Sequence, residues 1–249
     1  MALTKVIGDG IGAVTGNVGI GEAAPANLLH VKVSDTGIAP HASAQIVLER
    51  EGTNYLQFLT AEAGTSGILF GDGSDIDVAQ IKYDHNTTAM SFVTETNTAM
   101  VIDGNGAVSF SLTPCFSASA ATTNIPLATQ TKVTLSSERF DQGSDLNVGT
   151  DTFTAPITGK YLFTYILFFD QLDADHTTLD ATIVTSNRSY QQTVTPDHFL
   201  NSDSRFSLTG TMICDMDASD TLHMNVYVSD GDAQTDIHTD SHVSGALIC

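Results

Sequence analysis

Aspartate and histidine gather at two places in the C-terminal half of the sequence, with side chains suited to ion binding or acid–base chemistry. Asp170, Asp173, Asp175 and His176 follow one apolar run, and Asp230, Asp232, Asp236, His238, Asp240 and His242 precede another. A calcium site needs several oxygen ligands converging on one point. Neither cluster has the D-x-[DN]-x-[DN]-G…E spacing of a calcium loop, and Asp72-Gly-Ser-Asp75-Ile-Asp77 lacks it too. His238 and His242 would form a metal pair only on a helix, and this stretch carries no helical pattern. Acidic pairs are too abundant for any one to mark a hydrolase. No G-x-S-x-G, H-E-x-x-H or Cys–His signature occurs, so the expectation is a non-enzymatic protein with no catalytic residue and no cofactor. Asp170, Asp173, Asp175, His176, Asp230, Asp232, Asp236 and His238 are expected on solvated loops able to face a receptor.

Composition narrows the class further. The net charge of -20 arises from 29 acidic against 9 basic residues. Such a surface repels phosphate backbones and anionic lipid, so neither nucleic acid nor a membrane is an expected partner. Cys115, Cys214 and Cys249 are odd in number and widely spaced, which excludes a disulfide framework and argues against a zinc site. Charged residues make up only 15 %, turn-forming residues are plentiful, and no window sustains apolar spacing at three and four residues. The expected fold class is all-β. No run approaches the ~20 apolar residues of a membrane span. The start, MALTKVIGDGIGAVTG, lacks a long apolar core, so release by lysis rather than secretion is expected.

The elements that must position these loops centre on Thr152–Phe169. A short strand and a Pro-Ile-Thr-Gly turn lead into Tyr161–Phe169, the most apolar strand in the chain, about 30 Å long at ~3.3 Å per residue. Tyr161, Phe163, Tyr165, Leu167 and Phe169 point one way, and Leu162, Thr164, Ile166 and Phe168 the other. A strand with one face in water should alternate cleanly, and this one does not. A second copy of the chain is expected to cover one face, with Tyr161, Phe163, Tyr165, Leu167 and Phe169 assigned to the seam. Further on, Leu179, Ala181 and Ile183, then Phe206, Leu208 and Met212, then Leu222, Met224, Val226 and Val228 alternate with polar residues, as in an antiparallel sandwich.

The N-terminal half is built from shorter pieces. Gly16-Asn-Val-Gly-Ile-Gly21, with Pro25 and Leu28-Leu-His-Val31 behind it, reads as a tight strand-turn-strand; its spacing is wrong for a dinucleotide loop. Strands are then expected at 45–49, 55–59, 67–72, 79–85, 90–93 and 100–108. Each is too short and polar to hold a core alone, so partner chains are expected to bury their apolar residues.

Two resemblances organise these observations. Gly16–Val31, the IxYDHxxxxMxF stretch from Ile81 and the MxIDxxG stretch from Met100 resemble shaft sequence of bacteriophage tail-fibre proteins. From Phe116 onward the chain resembles the C1q branch of the C1q/TNF-type trimeric jelly rolls, most closely at Phe153-Thr-Ala-Pro156-Ile-Thr-Gly159-Lys-Tyr161-Leu-Phe163, and again at Val243–Ile248. Together they imply an N-terminal trimeric, intertwined β shaft followed by a C1q-like antiparallel jelly-roll head. The expected domains are an attachment segment and shaft start over 1–40, a β shaft over 41–112 and the head over 113–249. The resemblance implies a homotrimer on a virion, docked through its N-terminal segment to a tail or capsid protein, whose head loops contact a host surface glycan or protein. Capsid decoration, or a head fibre, is the alternative, because few residues precede the shaft for tail docking. A glycan depolymerase spike and a secreted adhesin rank below both. The C1q family also implies a possible Ca2+ near the trimer axis.

Overall fold

The structure is a computed structural model and describes residues 16–200, 202 and 204–249. Residues 1–15, which carry much of the expected attachment segment, lie outside the described residues. The chain forms two compact units, Met1–Ala61 and Glu62–Cys249. The boundary expected at residue 41 falls inside the first unit.

In the first unit β1 (Val18–Ile20), β2 (Leu29–Lys32) and β3 (Ile46–Glu49) form one parallel sheet in the order β1-β2-β3. Side chains alternate between its faces. Register puts Gly19, His30, Lys32, Val47 and Glu49 on one face, and Val18, Ile20, Leu29, Val31, Ile46 and Leu48 on the other. The polar face is the covered one: His30 and Glu49 are buried, whereas Ile20, Ile46 and Leu48 stand exposed. The strand expected at 55–59 does not form. Tyr55–Leu59 has no ladder partner, and its side chains are exposed.

The second unit opens with a five-stranded antiparallel sheet of β4 (Thr65–Phe70), β5 (Ala79–Asp84), β6 (Ala89–Thr94), β7 (Asn97–Ile102) and β8 (Val108–Ser109), paired in chain order. Asp72, Asp84 and Asp103 anchor three of its connections; Asp103 Oδ1, for instance, accepts from Asn105 N and Ala107 N, each at 2.9 Å. Most of its apolar residues are only half-buried, and Val93 alone among the described residues of this sheet belongs to the buried core.

The sheet changes after Ser109. The remaining strands are β9 (Cys115–Thr122), β10 (Thr131–Lys132), β11 (Leu135–Gln142), β12 (Leu146–Asn147), β13 (Thr152–Thr154), β14 (Gly159–Leu172), β15 (Thr178–Thr185), β16 (Ser189–Val194), β17 (Ser204–Met216), β18 (Thr221–Ser229) and β19 (Asp236–Leu247). They form two antiparallel sheets, β11-β9-β19-β14-β17 and β12-β13-β18-β15-β16, with β10 paired to β18. Strands distant in sequence are neighbours, as β9 and β19 are, which is the crossing connectivity of a jelly roll. The fold is all-β, with antiparallel sheets throughout the second unit, and no α-helix occurs among the described residues. Among the described residues no helix is long and apolar enough to cross a membrane.

Between the two sheets lies one continuous apolar core. Phe116 stacks on Phe153 with ring centroids 5.0 Å apart, and Phe163 meets Phe153 edge-on at 5.6 Å. Tyr161, Phe163, Tyr165, Leu167 and Phe169 all point into this core and are almost fully buried within the single chain. The assignment of these five to an intermolecular seam is therefore corrected, because packing against the facing sheet leaves them no surface for a second copy. The outward residues of β14 are Leu162, Thr164, Ile166 and Phe168, and Ile166 is 47% exposed.

Candidate functional site

The head's two acidic loops, Asp173–Thr177 and Asp230–Thr235, converge at one end of the sandwich because β14 and β19 are paired. What joins them is a buried histidine. His176 has no exposed surface; its Nδ1 lies 2.7 Å from the Asp230 carbonyl and its Nε2 2.9 Å from Thr235 Oγ1. The carbonyl only accepts, so the Nδ1 proton points to it. Asp173, also buried, accepts from Asp175 N at 2.8 Å through Oδ1 and from Asp232 N through Oδ2. Thr177 Oγ1 donates to the Asp230 carboxylate. Gly231 sits in the middle at φ +62°, and a Cβ there would lie 2.7 Å from Asp173 Oδ2 and 2.9 Å from His176 Nδ1. Only glycine accepts both that backbone and that proximity.

This arrangement uses its acids to hold backbone, not to gather an ion. Asp173 and His176 are corrected from receptor-facing residues to internal ties: His176 has no accessible surface and Asp173 almost none, and the carboxylate of Asp173 is taken up by the amides of Asp175 and Asp232. Asp236 is half-buried and accepts from Asn124 N at 2.6 Å. Asp170 is paired with Arg205 at 3.0 Å, which holds its carboxyl below the usual aspartate range. The Arg205 guanidinium lies 5.9 Å from the Phe168 ring centroid, and His238 packs edge-on against Phe168 at 5.5 Å. Asp175, Asp230 and Asp232 are the members of the expected set that remain exposed. No group of three or more metal-ligating side chains forms in these loops.

Among the described residues such a group occurs in the first unit, at Glu22, His30 and Glu49. His30 Nε2 lies 2.8 Å from Glu49 Oε2, and Glu49 Oε1 accepts from Thr36 N at 2.8 Å and Thr36 Oγ1 at 2.9 Å. Those bonds, led by the Thr36 amide, hold the Glu49 carboxyl at about 2. Lys32 Nζ lies 2.8 Å from Glu22 and 3.6 Å from Glu49, so an ammonium already supplies the positive charge. The cluster is an internal ion-pair network rather than an open metal site. Sequence reasoning missed it. Its signal was the alternation of Leu29 and Val31 with His30 and Lys32, which marks a polar strand face in need of partners.

The outward face of the β11-β9-β19-β14-β17 sheet is the other feature with functional content. Register places Ile213 beside Leu162 and Ala246 on the other side of it, with Thr211, Thr164 and Ser244 in the next row. Phe140, Ile166 and Ile213 are each about half exposed, and the half-buried Phe168 lies toward the acidic loops. Charged groups flank these rows at both ends: Lys160 pairs with Asp215 across β14 and β17 at one, and Arg139 Nη2 lies 3.3 Å from His242 Nε2 toward the other.

No protein-family model matches the chain, and no curated protein matches it. Among solved structures, it is similar to the globular domain of zebrafish complement 1qA protein at 17% identity, with a TM-score of 0.41, covering 55% of this chain and 98% of that one. Murine APRIL at pH 8.0 is similar at 11% identity and a TM-score of 0.38, covering 55% and 99%. A structure of Eiger TNF from S. frugiperda is similar at 14% identity and a TM-score of 0.39, covering 55% and 92%.

Proposed function

We propose that this chain is a non-enzymatic virion protein of a bacteriophage, a homotrimeric fibre or spike whose C1q-like head engages a host surface glycan or protein. The observation that carries the reading is the inverted first sheet: its charged face is folded inside while Ile20, Ile46 and Leu48 face solvent. A sheet in that state needs apolar cover, and identical copies around a threefold axis supply it symmetrically. The uncharged rows outside β14 offer the head a matching contact. A sequence resemblance to phage shaft repeats supports the virion assignment. Recognition then falls to loops on a rigid β scaffold, with exposed Asp175, Asp230 and Asp232 at one end. Three copies convert weak single contacts into avidity.

The test uses a phage that carries the protein and its host. Purified full-length protein should compete with the phage for adsorption, and antibody labelling should place it at the tail tip. Unchanged adsorption at saturating free protein would sink the receptor-binding role. Labelling over the capsid would move the protein to head decoration. Release of reducing sugar from host polysaccharide would move it to the depolymerase class.

A further inference from the structure

The strongest unexplained feature is Tyr55-Leu-Gln-Phe-Leu59. Its composition is that of a strand, with aromatic and large aliphatic residues and no charge. Yet among the described residues the segment belongs to no sheet, and none of its backbone groups bonds to backbone. Its large side chains stand in solvent: Tyr55 is 83%, Leu56 64%, Phe58 49% and Leu59 85% exposed. In an isolated chain both costs would stand together, with apolar surface in water and a strand lacking its ladder.

We infer that Tyr55–Leu59 is a strand completed between molecules, adding to the edge of a sheet in a second copy of this chain. The inference rests on the homotrimer reading above and specifies where the copies interlock. Three observations favour another copy as the occupant. First, β3 and β4, the strands before and after the segment, are both edge strands with one side unpaired. Every copy therefore carries a donor segment and acceptor edges, which is what a closed symmetric assembly requires. Second, copies carrying a net charge of -20 repel each other, so they must meet where charge is absent. Thr53–Thr60 and β4 (Thr65–Phe70) contain no charged residue, and Ile68, Leu69 and Phe70 of β4 are exposed. Third, the segment's four large side chains present on the order of 500 Å² of apolar surface, a substantial part of the ~800 Å² per partner in a standard interface. Strand addition satisfies backbone and side chains together: main-chain bonds supply affinity, and alternate side chains supply register.

Hydrogen–deuterium exchange on the full-length protein, paired with sedimentation, tests this. Solvated amides exchange at intrinsic rates, whereas ladder amides are protected, so exchange at Tyr55–Leu59 should slow by at least ~100-fold in the assembled protein. Gln57→Pro removes one donor, and Phe58→Asp places a charge in the contact. Each should weaken association at least ~10-fold while the head retains its near-ultraviolet circular dichroism. A trimer whose Tyr55–Leu59 amides exchange at intrinsic rates overturns the strand inference and leaves the trimer reading intact. A folded monomer at micromolar concentration overturns both. A monomer protected there only by added phosphatidylcholine vesicles overturns both in favour of lipid cover.

Discussion

Gly245 lies directly across the β14–β19 ladder from Phe163, and a Cβ built on the glycine would fall 2.4 Å from Phe163 Cδ1. The same position would be 2.8 Å from Phe116 Cε1. The Phe116–Phe153–Phe163 cluster therefore occupies space that only the missing side chain leaves open. Gly245→Ala is expected to destabilise the head by roughly 1–3 kcal/mol through overpacking, read as a lower denaturation midpoint. An unchanged midpoint would mean that the aromatic cluster repacks freely.

Leu167 and Ile166 are neighbours in sequence with opposite roles. Leu167 is fully buried in the sandwich, and Ile166 faces out. Leu167→Ala is expected to cost about 2–5 kcal/mol of fold stability. Ile166→Asp should leave the head's near-ultraviolet circular dichroism intact and shift sedimentation toward smaller species, since its charge would sit on the proposed seam. The reverse pattern would restore the seam to the Leu167 face.

His223 contributes a pH dependence with a definite sign. Burial, followed by the charge of Lys132, pushes its pKa below the usual 6.5. A base depressed in the folded state binds fewer protons there than when unfolded. Its contribution is therefore present above 6.5 and is lost as pH falls through that value toward the folded pKa. Melting temperatures compared at about pH 7.5 and about pH 5.5 should differ less in His223→Gln than in the natural chain.

The three cysteines should separate by reactivity. Burial pushes the Cys214 thiol up to about 11, whereas Cys249 is exposed and Cys115 is half-buried. A thiolate-specific reagent near neutral pH is expected to label Cys249 first and to reach Cys214 only after unfolding. Labelling of Cys214 in the folded protein would show that the β14–β17 edge opens.

Much of the head was legible because strand side chains alternate with a period of two. Leu222, Met224, Val226 and Val228 are all buried in β18, as their alternation with polar residues predicts. The same rule failed to orient β14, where both alternating sets are apolar and composition does not choose between them. The facing sheet chose, because Phe153 on β13 packs against the set that contains Phe163, alongside Phe116 from β14's own sheet. In the first unit the rule again set the faces, but burial went to His30 and Glu49. Their side chains meet across 19 residues through a parallel register that depends on loop path.

The acidic loops divide along the same line. Their charge, their turn residues and their position after β14 and before β19 belong to the sequence alone. Which acids face water was decided in three dimensions, where two loops more than fifty residues apart close around His176. Asp173 turns inward to accept the partly buried amides of Asp175 and Asp232, and the Asp175 carboxylate stays outside in solvent. At Tyr55–Leu59 the sequence specified a strand, but a strand exists only where an edge is present to receive it, and among the described residues none pairs with this segment.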